Sequence, residues 1–199
     1  MINIGIVPGR FNPPTRGHTT LIKHALSQCD MVFIVIIQGE KTGTDLLKNP
    51  LPFDLKKKIF NQAVPQAQVM RYGSGNIPKM SYEIIKAVFT YDKKYHLSIY
   101  TGPDRVEQYA AQTKPKYIKQ LKDDLGDEAY DISFEVRTLG REYSATKARE
   151  AIRAGEDEKA MQMLAIEDEA IYDEVKAAVM AGVKKEAVEA KIKSILERI

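Results

Sequence analysis

Two short apolar runs, INIGIV (Ile2–Val7) and MVFIVII (Met31–Ile37), set the first limit on what this chain can fold into. Both are rich in β-branched residues and nearly continuous in apolar character. Such runs suit strands buried on both faces, as in parallel sheets. Between them, TRGHTTLIKHALSQC places Leu21, Ile22, Ala25 and Leu26 on one helical face. The result is a β-α-β unit whose crossover is expected to be right-handed. The alternation continues. PFDLKKKIFNQAV predicts a helix, AQVMRY a strand, MSYEIIKAVFTY a helix and HLSIYTG a strand. A helical region is expected from about Asp104 to Leu125, then a last strand in YDISFEVRTL, then a helix in SATKAREAIRAG that stops at Gly155. The sum is an α/β fold: an open parallel sheet of about five strands flanked by helices.

From Glu156 the strand signal ends, so the expected division is a sheet domain over 1–155 and a helical extension over 156–199. Ile171, Val175, Ala178 and Val179 form one helical stripe, and Val188, Ile192, Ile195, Leu196 and Ile199 form another. Gly182 lies between them where a C-terminal stop would sit. A helical hairpin packed on the sheet domain is expected, with a homo-oligomer interface as the other use of such stripes.

Composition narrows the function. Hydrophobic residues make up 44% of the chain, enough for a real core. A net charge of +3 does not point to nucleic acid, but it can supply a cationic pocket for an anionic substrate. Cys29 is the only cysteine, which excludes an intrachain disulfide and a cysteine-based zinc cluster. His18, His24 and His96 are scattered, so no metal site is expected from protein ligands. MVFIVII is too short to span a bilayer, and Met1 leads straight into a strand pattern without the sections of a signal peptide. A cytoplasmic protein with no membrane partner is expected. KPKYIKQLK (Lys114–Lys122) has one aromatic and no stacking pattern, so it reads as a solvated helix rather than a nucleic-acid surface. Lys56, Lys57 and Lys58 likewise read as a solvated helix face.

The connection after the first strand is unusual. PGRFNPPTRGH (Pro8–His18) holds three prolines, two glycines, two arginines and a histidine. A plain βα loop usually runs about 2–6 residues. In open α/β sheets, ligands bind beyond the carboxyl ends of the strands, where this stretch lies. Gly9 and Gly17 permit close backbone approach, and Thr15 can cap the next helix. His18 then falls in the first turn, beside free backbone N–H groups that make an anion site. Arg10 and Arg16 add positive charge.

GRFNPPTRGH resembles the extended T/H-x-G-H signature of the nucleotidylyltransferase superfamily, here Thr15-Arg16-Gly17-His18. The arginine after the first glycine is similar to archaeal-type nicotinamide mononucleotide (NMN) adenylyltransferases, and the threonine to bacterial relatives such as phosphopantetheine adenylyltransferase. The family's second motif, I-S-x-T-x-x-R, is matched by YSATKAR, with Ser144, Thr146 and Arg149 and with Tyr143 in place of isoleucine. TGPDRV resembles the family's G-x-D through Gly102 and Asp104. PKMSYE (Pro78–Glu83) looks superficially like the K-M-S-K-S loop of class I aminoacyl-tRNA synthetases, but it lacks the second lysine and lies mid-sheet.

The resemblance implies a Rossmann-like sheet and transfer of a nucleoside monophosphate from a nucleoside triphosphate to a small phosphorylated acceptor. Pyrophosphate leaves, and Mg²⁺ is held mainly through the triphosphate. ATP and NMN are the first expectation. Cytidylyl transfer to a polyol or amino-alcohol phosphate is the alternative within the class, and a non-catalytic nucleotide sensor the alternative outside it. The resemblance assigns Gly9, Arg10, Phe11, Thr15, Gly17, His18, Gly102, Asp104, Ser144, Thr146 and Arg149 to the nucleotide. It assigns Asn12, Lys41 and Lys48 to the acceptor, and His18, Lys48 and Arg149 to catalysis, with Lys48 preferred over Lys41; Arg105 is read either as meeting an acceptor phosphate or as pairing with a carboxylate. An already ionised phosphate nucleophile needs no general base, which fits a chain without a persuasive nucleophile–base pair.

Overall fold

The computed structural model of the chain describes residues 1–39, 45–88, 94–112, 119, 123, 133–138 and 143–196. Its elements are β1 (Ile2–Gly9), α1 (Arg16–Leu26), β2 (Met31–Ile37), α2 (Phe53–Ala63), β3 (Gln68–Tyr72), α3 (Ile77–Val88) and β4 (Tyr95–Thr101). A 3₁₀ turn (Pro103–Arg105), α4 (Val106–Gln112), β5 (Ser133–Thr138), α5 (Ala145–Arg153), α6 (Asp157–Met163) and α7 (Glu169–Leu196) follow. Most of the rest of the helical stretch expected up to Leu125, and most of Lys114–Lys122, lie outside the described residues. None of the described helices is long and apolar enough to cross a membrane.

By its internal contacts the chain forms two compact units. The first takes Met1–Gly9, Thr20–Ile37 and Val64–Arg141, and the second takes Arg10–Thr19, Gln38–Ala63 and Glu142–Ile199.

The first unit is the expected parallel sheet, in the order β3-β2-β1-β4-β5. The register sets Ile6 beside Phe33 of β2 and Ile99 of β4, and Ile4 beside Leu97. Side chains alternate across a sheet, so Ile4, Ile6, Phe33, Val35, Leu97 and Ile99 share one face. They pack with Ile77, Met80, Ile84 and Ile85 of α3 in one core cluster. Burying an aliphatic side chain of this size contributes about 1.5–3 kcal/mol, so this face alone stabilises the sheet heavily. The order reverses between β1 and β4. The crevice beyond the carboxyl ends of those two strands is where open α/β sheets take their ligands. Gly9 and Gly102 mark these ends.

The second unit has its own core. Leu51, Leu55 and Ile59 meet Ala148, Ala151 and Ile152 of α5, and Ile171, Val175 and Val179 of α7. Gly155 ends α5 with φ 74°, a left-handed position that glycine adopts without steric cost. The expected hairpin is corrected: α7 runs unbroken for 28 residues, straight through Gly182. The glycine serves a close approach rather than a stop. A Cβ at Gly182 would lie 2.6 Å from the Leu46 carbonyl oxygen. Beyond it Val188 and Ile192 are exposed.

Candidate active site

The site loop of the second unit begins at Arg10, directly after β1. Phe11 is buried and holds φ 50°, a left-handed conformation that a bulky side chain rarely adopts. Its ring meets His18 edge-on at 5.0 Å and Phe60 of α2 at 4.9 Å. Contacts of this geometry offset the backbone strain, and such strain concentrates at functional sites. Asn12 serves as a clasp. Its Oδ1 accepts from the Leu51 N–H at 3.0 Å, and its Nδ2 donates to Asn49 Oδ1 at 3.4 Å. Thr15 forms an antiparallel bridge to Leu164, and Arg16 Nε donates to the Leu164 carbonyl at 3.3 Å. The chain between α6 and α7 therefore buttresses the loop.

Thr15 takes the cap position of α1, as expected, since its carbonyl accepts the His18 and Thr19 N–H groups. Its hydroxyl is used differently. Thr15 Oγ1 lies 2.8 Å from His18 Nδ1, and the Thr15 N–H donates to that same nitrogen at 3.0 Å. A ring nitrogen that accepts a backbone N–H cannot carry its own proton, so the neutral imidazole has its proton on Nε2. This is the reciprocal half of a capping box, with histidine in the role of glutamate. The pairing holds the His18 ring in one orientation and makes Nε2 a donor.

The second motif opens α5. Ser144 caps it by accepting the Thr146 N–H at 3.2 Å. Arg149 lies one turn on, and its Nη2 donates to Thr146 Oγ1 at 3.2 Å. Its Nη1 donates to the Asn12 carbonyl, which joins the two motifs through a direct hydrogen bond. Burial holds the Arg149 guanidinium below its ordinary value, and the like charge of Arg153 adds to the shift. A half-buried cation of this kind favours an anion at its side. Arg153, one further turn along, donates from Nη2 to the Leu47 carbonyl at 2.7 Å.

The lysines occupy different settings. Lys48 is 75% exposed and pairs with Asp45 at 3.5 Å, at the rim of a cleft of about 520 Å³ between residues 45–48 and α7. Lys41 lies outside the described residues. Lys56 is a correction. It is 1% exposed rather than solvated, and its Nζ donates to the Arg10 carbonyl and to Gln38 Oε1, both at 3.2 Å. The helical period held the signal: Lys56 shares its face with Ile59 and Phe60, and the run of three lysines obscured it. Asn49, Phe60 and Arg153 also escaped the sequence reading.

The second unit thus contains Arg10, Phe11, Asn12, Thr15, Gly17, His18, Lys48, Ser144, Thr146 and Arg149. Gly9, Gly102, Asp104 and Arg105 belong to the first. There Gly102 leads into the 3₁₀ turn, and exposed Arg105 pairs with Asp104 at 3.6 Å and donates to Gln108 at 2.7 Å. No group of three or more His, Cys, Asp or Glu side chains among the described residues is placed to hold a metal ion.

The chain has relatives of known assignment. It is 25% identical over 130 residues to the nicotinamide-nucleotide adenylyltransferase of Thermococcus kodakarensis, covering 61% of this chain and 68% of that protein. The fold is similar to that of a bifunctional NMN adenylyltransferase/ADP-ribose pyrophosphatase from Francisella tularensis (TM-score 0.63, 16% identity). All of this chain is covered, but it spans only 57% of that protein's length. The Francisella protein has also been solved with AMP and a manganese ion. A Vibrio parahaemolyticus protein assigned as a nicotinate-nucleotide adenylyltransferase gives a TM-score of 0.57 at 18% identity, over 90% of this chain and 99% of that one. The cytidylyltransferase-like family profile matches residues 6–151, from the first strand through the site loop to the helix that carries Arg149. That span is well over half of the 199 residues, and the chain belongs to the cytidylyltransferase-like family.

Proposed function

We propose that this chain transfers a nucleoside monophosphate from a nucleoside triphosphate to a phosphorylated acceptor, with ATP and NMN as its substrates. The observation that carries the reading is the hydrogen bond from Arg149 to the Asn12 carbonyl, which gathers two anion-binding motifs from distant parts of the chain. The 25% identity to the Thermococcus nicotinamide-nucleotide adenylyltransferase supports the choice of acceptor.

The chemistry needs little beyond positioning and charge. A phosphate oxygen of the acceptor attacks the α-phosphorus of the triphosphate. The bond from that phosphorus to the bridging oxygen breaks, and pyrophosphate leaves with the electron pair. His18 donates from Nε2 to a phosphate oxygen as negative charge builds on the leaving group. Arg149, Thr146 and Ser144 hold the β- and γ-phosphates, and Arg10 and Arg16 attract the triphosphate to the loop. Such preorganised donors are worth most where charge develops in the transition state. Mg²⁺ enters as the metal–triphosphate substrate and neutralises phosphate charge. A site rich in Arg and His side chains suits a metal carried by the triphosphate rather than by the protein.

The test is pyrophosphate release with Mg²⁺, crossing ATP and CTP with NMN, phosphopantetheine, glycerol 3-phosphate and choline phosphate. Release with ATP and NMN alone is the expected result. Release only with CTP and one of the alcohol phosphates would replace it with the cytidylyl reading. Triphosphate binding without any turnover would favour a sensor.

A further inference from the structure

We infer that Lys56 is a positioning residue that sets the anion-binding face of the Arg10–Phe11 peptide. The inference rests on the functional reading above and adds a residue outside both sequence motifs. Lys56 is 1% exposed on the inner face of α2, so its ammonium has been withdrawn from water. Burying that charge is costly unless it is hydrogen-bonded. Its Nζ donates to the Arg10 carbonyl at 3.2 Å and to Gln38 Oε1 at 3.2 Å. Asn12 Nδ2 also reaches the Arg10 carbonyl, at 3.5 Å.

The Arg10–Phe11 peptide is trans, so its carbonyl and its N–H point in opposite directions. Drawing the Arg10 carbonyl toward the buried ammonium turns the Phe11 N–H to the other side of the peptide. In that orientation a backbone N–H can donate to a phosphate oxygen. The left-handed φ of Phe11 belongs to the same arrangement. The Phe11 ring is anchored against Phe60, four residues from Lys56 on the same helix. One face of α2 therefore holds both the carbonyl before Phe11 and the Phe11 ring. The buried charge also lies beneath a loop that must attract a polyanion, where a low local dielectric strengthens its field.

The experiment compares the full chain with Lys56→Met, which removes charge and donors, and Lys56→Gln, which keeps a donor. The readouts are the Kd for Mg-ATP by calorimetry, KM for each substrate, kcat, and the unfolding temperature. Lys56→Met is expected to weaken triphosphate binding or kcat by at least about tenfold, while the acceptor KM stays within about twofold. Lys56→Gln should recover part of the loss. A folded Lys56→Met that binds and turns over Mg-ATP like the parent overturns the inference and leaves the functional reading standing. A parent chain that binds no Mg-ATP overturns both. If Lys56→Met does not fold, the amide spectrum of the parent decides. The Phe11 N–H resonance should move when inorganic tripolyphosphate is added, and an unmoved resonance overturns the inference.

Discussion

At the scale of single residues, the site is a set of side chains whose atoms are already engaged with the backbone. His18 is held through Nδ1, which puts the proton of its neutral ring on Nε2. His18→Ala and Arg149→Ala are each expected to lower kcat by at least about tenfold in folded protein, the scale of one lost transition-state contact. Unchanged pyrophosphate release in either variant would remove that residue from the catalytic set. Phe11 makes a sharper case. Its φ of 50° costs an L-residue with a Cβ roughly 1–2 kcal/mol, and its ring contacts outweigh that cost. Once the ring is gone only the strain remains. Phe11→Gly should therefore be more stable than Phe11→Ala by about 1 kcal/mol in urea unfolding, the reverse of the usual order. An Ala variant at least as stable as the Gly variant would contradict this.

At the scale of elements, the long C-terminal helix carries two checkable devices. Gly182 sits mid-helix, where alanine normally gains about 1 kcal/mol. A Cβ there would lie 2.6 Å from the Leu46 carbonyl, an overpacking that typically costs about 1–3 kcal/mol. Gly182→Ala is thus expected to lower the unfolding temperature; a rise would mean that residues 45–48 give way freely. The helix starts at Asp168, whose Oδ1 accepts the Ala170 N–H at 2.8 Å and the Ile171 N–H at 3.3 Å. Those two bonds hold its carboxyl below the usual range. A carboxyl depressed in the folded state contributes stability above its unfolded value, near about 3.9, and loses it as pH falls through the folded value. Asp168→Ala should destabilise the protein at pH 7, and its deficit should shrink as the parent's Asp168 protonates in acid. Equal deficits at pH 7 and pH 2.5 would refute the charged cap. Gly182 and Lys56 show where local pattern misleads. A glycine between two apolar stripes reads as a stop, yet here it gives room for a neighbouring carbonyl. A lysine among lysines reads as solvated, yet Lys56 lies inside.

At the scale of the molecule, a ligand that binds only the folded chain raises its stability by mass action. Mg-ATP at about 100 times its Kd should add about 2.7 kcal/mol, seen as a rise in unfolding temperature that Arg149→Ala diminishes. A parent chain whose unfolding temperature ignores millimolar Mg-ATP would count against the anion site. The sequence by itself determined the five parallel strands, the intervening helices, the cap at Ser144 and the stop at Gly155. Those features follow from local physics: apolar period, turn chemistry and the needs of helix ends. Only the tertiary structure decided that α7 runs on through Gly182, that Lys56 is buried beneath Arg10, and that Arg149 grips the Asn12 carbonyl. Each of these joins residues far apart in the chain. Hydrogen-bond partners and close approaches are properties of the packed neighbourhood; helical spacing marked the face that Lys56 shares with Ile59 and Phe60, but not the groups it meets there.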